Sequence, residues 1–262
     1  MSQRDVSTRP AFRGTRAGIE TLPGRFDLPR HRHLRAYATV VLAGQFEESG
    51  YVGRIRASAG DVMIHPALDC HENHMVTSGV TLIRLDWTDL SGRGGLYRVD
   101  QVDTLARLAE KDVVEATQLL ESLLRGGQPP TPGQRNDWPD LLAADLARDA
   151  TIEVGAWADA QGLARETVSR GFAAAYGTAP IVFRAELRTR AAWLRITRGA
   201  DRLSTIAADT GFADQAHMTR WIQRLTGASP TSWRAYIEKR GSPSTIVPAN
   251  AGFSPLPHSF AR

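Results

Sequence analysis

The stretch LSTIAADTGFADQAHMTRWIQRLTGASPTSWR, residues 203 to 234, decides the fold of the C-terminal half of the chain. In it the small residue Ala207 precedes Gly211 by four positions, as a close helix crossing followed by a left-handed turn requires. Met218 falls where a second helix would turn an apolar side chain inward. The pattern predicts a helix-turn-helix unit, in which two short helices meet at a glycine corner.

A similar pattern occurs about 50 residues earlier in the chain. One helical hairpin with a glycine corner is common in proteins of many functions, but two copies with the same downstream spacing favour two helix-turn-helix units. The shared positions are Ala158, Gly162, Arg170, Gly177 and Pro180 in the first copy and Ala207, Gly211, Arg220, Gly227 and Pro230 in the second. Val168 corresponds to Met218 as the inward residue.

Between the two copies, residues 181 to 199 predict one amphipathic helix, IVFRAELRTRAAWLRITRG. At 1.5 Å per residue it would be about 27 Å long, which could hold two recognition helices roughly one DNA turn apart. Its predicted buried stripe is Phe183, Leu187, Ala191 and Leu194. The neighbouring face carries Arg184, Arg188, Arg195 and Arg198, which would either contact phosphates or form a solvated surface.

The region from 137 to 240 resembles the DNA-binding domain of the AraC/XylS family of bacterial regulators. The positions that carry the resemblance are Ile206, Ala207, Gly211, Phe212, Arg220, Gly227, Ser229 and Pro230. The chain departs from the family pattern at Trp221 and Ile222, and at Gly171, where leucine is common. The predicted DNA-contacting residues are Arg165, Glu166, Ser169 and Arg170 in the first unit and Gln215, Ala216, His217, Thr219 and Arg220 in the second.

Charge and composition fit this interpretation. Residues 151 to 240 contain 13 Arg or Lys and 8 Asp or Glu, whereas residues 1 to 150 contain 18 and 20, so the basic excess lies in the C-terminal part and favours a polyanionic partner. The sequence contains no run of roughly 20 apolar residues that could cross a membrane and no secretory signal. The single cysteine, Cys70, excludes an internal disulfide. We therefore expect a cytoplasmic protein.

The N-terminal half predicts a β domain. From Ala36 to Trp87, short β-rich runs alternate with turn signals, which is typical of an antiparallel sandwich or barrel. Apolar residues from Val102 to Leu123 then recur at spacings of three and four and predict one amphipathic helix over 101 to 125. That helix could pack on the β domain or pair with the same helix of a second chain.

Five of the seven histidines lie in this half: His31, His33, His65, His71 and His74. Two imidazoles separated by one residue, as in His31 and His33, share one side of a strand. With GDVMIHPALDCH, residues 60 to 71, they resemble the half-motifs of a cupin barrel, which implies that His31, His33 and His71 line an effector pocket or bind Zn²⁺, Ni²⁺ or Fe²⁺. Metal-binding cupins add a Glu shortly after the histidine pair, but LRAYATV, residues 34 to 40, contains no acid. An organic-effector pocket, a metal site and ordinary histidines all remain open.

The predicted fold class is α+β: a cupin-like β barrel with a flanking helix, then an all-α domain. The predicted boundaries are an effector-binding or dimerisation domain over 1–125, a linker over 126–136, a double helix-turn-helix domain over 137–240 and a mobile tail over 241–262. The predicted function is that of a transcription regulator, either activator or repressor, and not an enzyme. The expected partners are operator DNA, a small-molecule effector, a second copy in a homodimer and, for an activator, RNA polymerase. The alternatives are a metal-dependent cupin enzyme with a helical appendage and a DNA architectural protein without an effector.

Overall fold

The computed structural model describes residues 17–24, 27–87, 94–125 and 137–240. A β part precedes a helical part along the chain, so the α+β prediction is confirmed. The predicted linker at 126–136 and the predicted tail at 241–262 lie outside the described residues. Among the described helices, none is long and apolar enough to cross a membrane.

The β part consists of two antiparallel sheets. The nine described strands are β1 (Gly18–Pro23), β2 (Asp27–His33), β3 (Tyr37–Ala43), β4 (Gln45–Gly50), β5 (Gly53–Ser58), β6 (Asp61–His65), β7 (Asp69–Met75), β8 (Gly79–Asp86) and β9 (Gly95–Arg98). One sheet has the order β1-β8-β3-β6-β9 and the other β2-β7-β4-β5. Apolar side chains of both sheets, including Leu22, Phe46, Met75 and Leu82, form one core between them.

The single helix predicted over 101 to 125 is wrong, because the structure has α1 (Val102–Ala109) and α2 (Val113–Arg125) there. The carboxylate of Asp112 accepts hydrogen bonds from the backbone N–H of Val114 at 2.8 Å and of Glu115 at 3.2 Å, and so begins a new helix. The apolar side chains of α1 and α2 are buried with residues of the five-stranded sheet. The helices therefore pack on the β part, one of the two arrangements that the sequence allowed.

The helical part contains seven described helices. They are α3 (Trp138–Arg148), α4 (Val154–Ala160), α5 (Arg165–Tyr176), α6 (Pro180–Arg198), α7 (Leu203–Asp209), α8 (Gln215–Thr226) and α9 (Pro230–Arg240). The glycines that end α4, α5, α7 and α8 all have positive φ, with Gly162 at +65°, Gly177 at +64°, Gly211 at +77° and Gly227 at +76°. The predicted glycine corners are thus confirmed, since L residues rarely adopt this conformation.

Each helix-turn-helix unit has its own core on α6. Val168, Phe172 and Tyr176 of α5 pack with Phe183, near the beginning of α6. Met218 and Ile222 of α8 pack with Trp193, near its end. The predicted stripe of α6 is confirmed at Phe183, which is buried, and in part at Leu187 and Leu194, which are half-buried against the two cores. It is wrong at Ala191, which is exposed, and it lacked the buried residues Glu186, Thr189, Ala192 and Ile196. The reason is that α6 contacts the β part as well as both units, so its buried face includes polar residues.

Candidate nucleic-acid interface and histidine pocket

The second helices of the two units, α5 and α8, present the predicted DNA-contacting residues on their outer faces. Val168 and Met218 are buried on the opposite faces. The exposed residues are Arg165, Glu166, Ser169 and Arg170 on α5 and Gln215, Ala216 and Arg220 on α8, while His217 and Thr219 are half-buried. Arg170, Gln215 and Arg220 have no hydrogen-bond or ion-pair partner among the described residues.

The two helices begin differently. Asp214 caps α8, because its carboxylate accepts a 2.6 Å hydrogen bond from the backbone N–H of His217. The corresponding residue before α5 is Ala164, which has no side-chain acceptor. The turn before α8 is one residue longer, and that residue provides the cap. The extra turn residue therefore fixes the first turn of α8 more firmly than that of α5.

Two departures from the family pattern have structural reasons. The indole N–H of Trp221 donates a 3.1 Å hydrogen bond to Nε2 of His217, one turn earlier on α8. On α5, a Cβ added to Gly171 would lie 2.4 Å from the ring of Trp138, so only glycine fits beneath this ring. The first departure orients a predicted contact residue, and the second lets α3 pack on α5.

The arginines of α6 bind the protein itself. Arg184 donates to the carbonyl of Ile152 at 2.7 Å, and Arg188 donates to the carbonyls of Ala150 at 2.6 Å and Gly211 at 2.7 Å. Arg195 forms ion pairs with Asp201 and Asp209. These three side chains therefore hold the turns of the units, rather than forming the free arginine face that the sequence suggested.

The helix-turn-helix domain family model matches residues 157–236. The C-terminal part of this chain is a helix-turn-helix domain. The match lies within the region that resembles the AraC/XylS family, and it confirms the prediction of a DNA-binding regulatory domain there. No curated protein sequence matches the chain at a significant level.

Several solved structures are similar to this chain. One is ToxT from Vibrio cholerae with a bound unsaturated fatty acid, at 9% identity and a TM-score of 0.38, over 87% of this chain and 97% of that one. Another is the DNA-binding domain of AdpA in complex with a target DNA, at 23% identity and a TM-score of 0.37, over 40% of this chain and 97% of that one. A third is the C-terminal domain of AraT, a response regulator from Geobacillus stearothermophilus, at 14% identity and a TM-score of 0.37, over 39% of this chain and 88% of that one.

The structure brings the three predicted pocket histidines together. His31 on β2 lies opposite His71 on β7, with ring centroids 4.4 Å apart, and the His33 ring lies 4.9 Å and 5.2 Å from them. One ring nitrogen of each lies within 4.8 Å of those of the other two. His65 lies beside this group, with its ring centroid 4.8 Å from that of His71 and tilted by 39°. His74 lies outside it and pairs with Asp27 at the surface.

Two carboxylates that the sequence analysis did not identify join the histidines. Asp69 accepts hydrogen bonds from Nδ1 of His65 at 3.1 Å and Nδ1 of His71 at 2.9 Å. Glu48 on β4 places a carboxylate oxygen 3.7 Å from Nε2 of His71. The acid missing after the histidine pair thus comes from another strand. The alternation in β4 indicates this position, since Phe46 and Glu48 are buried on the same face.

The electrostatics of the pocket favour neutral imidazoles at His31 and His33 and an ionised carboxylate at Asp69, whereas His71 shifts the other way. Burial, followed by the neighbouring His71, lowers the pKa of His31 to about 2, and burial also lowers the pKa of His33 well below its usual value. Burial alone would raise the pKa of Asp69, but the hydrogen bonds from His65 and His71 hold it well below its usual range. Burial opposes protonation of His71, yet Glu48 and Asp69 raise its pKa.

The cavity at this cluster is small. Its volume is about 20 Å³, and its polar end is formed by His31, Tyr37, Glu48, His65 and His71. A cavity needs roughly 10 to 15 Å³ to hold one water molecule, and one of about 150 Å³ admits benzene. The structure as it stands therefore has room for a water molecule or an ion.

Residues next to the pocket in sequence contact the helical part. Arg30, which precedes His31, forms a 2.6 Å ion pair with Glu186 of α6 and donates to the carbonyl of Tyr176 at 3.1 Å. Leu68, which precedes Asp69, is fully buried in the core of the second unit and has a φ of +60°. Both connections run from a pocket strand directly into a helix-turn-helix unit.

Proposed function

We propose that this protein is a sequence-specific DNA-binding transcription regulator in which α5 and α8 enter neighbouring parts of a DNA major groove. The observation that carries the proposal is the matched exposure of these two helices. Each buries its inner face in its own core, and each presents to solvent side chains that can pair with base edges. The match of residues 157–236 to a helix-turn-helix domain supports the same conclusion.

Within this proposal the second unit makes the stronger base contacts. Arg220 and Gln215 carry the donors and acceptors that match guanine and adenine edges. In the first unit, Arg165, Ser169 and Arg170 offer similar contacts, but Glu166 can accept only from cytosine amino groups. Ala216, His217 and Thr219 complete the proposed contact surface on α8.

We further propose that a ligand in the β part controls the DNA-binding part. The support is the adjacency of pocket and interface residues: Arg30 next to His31 and Leu68 next to Asp69. A ligand shifts the equilibrium between two arrangements only if it binds one of them more tightly. A change in the positions of β2 or of the β6–β7 turn would alter both the pocket and the contact with a unit.

The remaining predictions stay predictions. They are the domain boundaries, the homodimer, the polymerase contact of an activator and the cytoplasmic location. The apolar stripe of α1 and α2 packs on the sheet, where Leu105, Ala109, Ala116 and Leu120 are buried and its other residues are partly buried. We propose no catalytic role for the pocket, because a cavity of about 20 Å³ leaves no room for an organic substrate.

Selection of bound fragments from random double-stranded DNA by the full chain tests the central proposal. We expect enrichment of a two-part motif, with an affinity that falls steeply as salt concentration rises. The variant that combines Gln215→Ala with Arg220→Ala should lose the part of the motif read by α8. Arg125→Ala is the matched control, because Arg125 is an exposed arginine on α2, which packs on the β part and not on a recognition helix. Binding without sequence preference would overturn the proposal and favour an architectural protein.

A further inference from the structure

We propose that His31, His33, His71 and Glu48 bind a divalent transition-metal ion, and that this ion is the ligand to which the regulator responds. The regulatory role of the ion rests on the proposed function, whereas the binding of the ion does not. The observation behind it is a group of buried nitrogen and oxygen donors around a cavity that can hold one ion.

The size of the cavity decides between the classes of ligand that the sequence left open. A volume of about 20 Å³ is far below the roughly 150 Å³ that admits even benzene. An organic effector would require the two sheets to separate, which would disrupt the core formed by Phe46, Met75 and Leu82. Of the four proposed ligands, His31, His71 and Glu48 already line the cavity, and the His33 ring lies beside the rings of His31 and His71.

The donor set fits a borderline transition metal. Imidazole nitrogens with one carboxylate oxygen are typical ligands of Zn²⁺, Fe²⁺, Co²⁺ and Ni²⁺. Ligands about 2.1 Å from a tetrahedral ion lie roughly 3.4 Å from each other. Nε2 of His71 and the Glu48 carboxylate are 3.7 Å apart, and one nitrogen of each of His31, His33 and His71 lies within 4.8 Å of the others. His71 also belongs to a second group of donors within 4.8 Å of one another, with Glu48, His65 and Asp69, so His71 connects Glu48 to the other two histidines.

The outer contacts of the imidazoles orient them for binding. Nδ1 of His31 donates to the carbonyl of Pro29 at 2.9 Å, and Nδ1 of His71 donates to Asp69 at 2.9 Å. A carbonyl or carboxylate on one ring nitrogen fixes the proton there and leaves the lone pair on the other, as in protein metal sites. On His71 this other nitrogen, Nε2, lies 3.3 Å from the hydroxyl of Tyr37, a contact that a bound ion would replace. Nε2 of His33 is buried without a hydrogen-bond partner among the described residues, an arrangement that costs free energy unless something occupies it.

The test uses the full chain after removal of metals with a chelator and dialysis. Co²⁺ is the probe, because its visible absorption reports coordination, and elemental analysis after gel filtration gives the stoichiometry. We expect one bound Co²⁺ per chain. The variant combining His31→Ala with His33→Ala should weaken binding at least 100-fold, and the nearly isosteric Glu48→Gln should weaken it at least tenfold with unchanged circular dichroism. Asp69→Asn, which alters the support of His65 and His71 but replaces none of the proposed ligands, should weaken it about 10- to 100-fold.

His74→Ala is the matched control, because His74 lies on the same strand as His71 but is exposed and outside the cluster. Absence of stoichiometric Co²⁺ in the wild type, or equal loss in His74→Ala and in the double variant, would overturn the metal site. Operator DNA, once selected, gives the second readout: we expect at least a fivefold change in affinity on adding Co²⁺ to the wild type and none in the double variant.

The two proposals fail separately. Selective DNA binding with no bound Co²⁺ would overturn the metal site and leave the proposed function standing. Bound Co²⁺ without selective DNA binding would support the metal site and overturn the proposed function. Bound Co²⁺ that leaves operator affinity unchanged would overturn the regulatory role of the ion.

Discussion

The two helix-turn-helix units share their glycine corners but are joined to the β part by different chemistry. The first unit is held by charge: Arg30 pairs with Glu186, and Arg54 pairs with Asp140 at 2.8 Å. The second is held by an apolar insertion, in which Leu68 enters the core around Trp193. The strength of an ion pair depends on the distance between its two charged groups. The strength of an apolar contact depends on how completely the side chains fill the space between them. The comparison indicates that small shifts of β2 act on the first unit, while release of the second requires withdrawal of a whole side chain.

The largest expected effect comes from breaking the charged connection. Arg30→Met leaves the carboxylate of Glu186, which is only 1% exposed, without its cation. An uncompensated buried charge costs about 3 to 5 kcal/mol, so the free energy of unfolding in urea should fall by that amount. Burial alone would lower the pKa of Arg30, but Glu186 raises it above its usual value, so Arg30 stays charged in this buried position.

Two further variants sharpen this result. Combining Arg30→Met with Glu186→Leu should recover most of the loss, because apolar replacement of a whole buried pair is often neutral. Arg56→Met breaks the more exposed pair with Glu47 and should cost less than about 1 kcal/mol. Equal costs for Arg30→Met and Arg56→Met would contradict the role given to the buried pair.

The apolar connection should give the next largest effect. Leu68→Ala removes a fully buried side chain from the second core and should lower the free energy of unfolding by about 2 to 4 kcal/mol. Leu141→Ala provides the control, since Leu141 of α3 is 49% exposed and its loss should cost under about 1 kcal/mol. If Leu68→Ala leaves urea unfolding unchanged, the β6–β7 turn does not hold the second unit.

The sequence was sufficient to predict the two helix-turn-helix units, but it was insufficient to predict how they are connected to the β part. The four corner glycines are local signals, because a left-handed residue after a helix restricts the residue type by itself. Arg30 and Glu186 are 156 positions apart, and neither has a local pattern that marks it as buried. The break between α1 and α2 was missed for another reason: Asp112 caps a helix without glycine or proline, inside an apolar spacing that continues through it.

The histidine pocket, too, could be predicted from the sequence only in part. His31 and His33 share one side of a strand by alternation alone, and the half-motif resemblance added His71. Glu48 and Asp69 could not be joined to them without the pairing of β7 with β2 and β4, which brings distant residues side by side. The alternation of β4 places Glu48 on the same buried face as Phe46, but it does not show which side chains Glu48 meets there. The pairing of strands that are distant in sequence, rather than any local sequence pattern, brings the carboxylates to the histidines.

On the DNA-contacting side, the second unit should dominate. Arg220→Ala should weaken binding to the selected operator by about 1 to 3 kcal/mol while the far-ultraviolet circular dichroism stays unchanged. Arg170→Ala at the equivalent position of the first unit should weaken it less, because Glu166 limits the contacts of α5. Titration of labelled operator measures both, with Arg125→Ala on α2 as the charge-matched control. A larger loss in Arg170→Ala would reverse the assignment of the stronger unit.

The smallest effect concerns the beginnings of the two recognition helices. Asp214→Ala removes the cap of α8 and should lower the free energy of unfolding by about 1 kcal/mol. Ala164→Asp offers α5 the side chain that it lacks, and an acid at this end also interacts favourably with the helix dipole, so stability should rise by about 0.5 to 1 kcal/mol. Urea unfolding of both variants and of the double variant measures the two changes, which should add because the caps are far apart in sequence and belong to separate cores. A loss of stability in Ala164→Asp would show that the shorter turn before α5 cannot place a side chain over the first turn of the helix. The cap of α8 would then depend on the extra residue in its turn as well as on the carboxylate of Asp214.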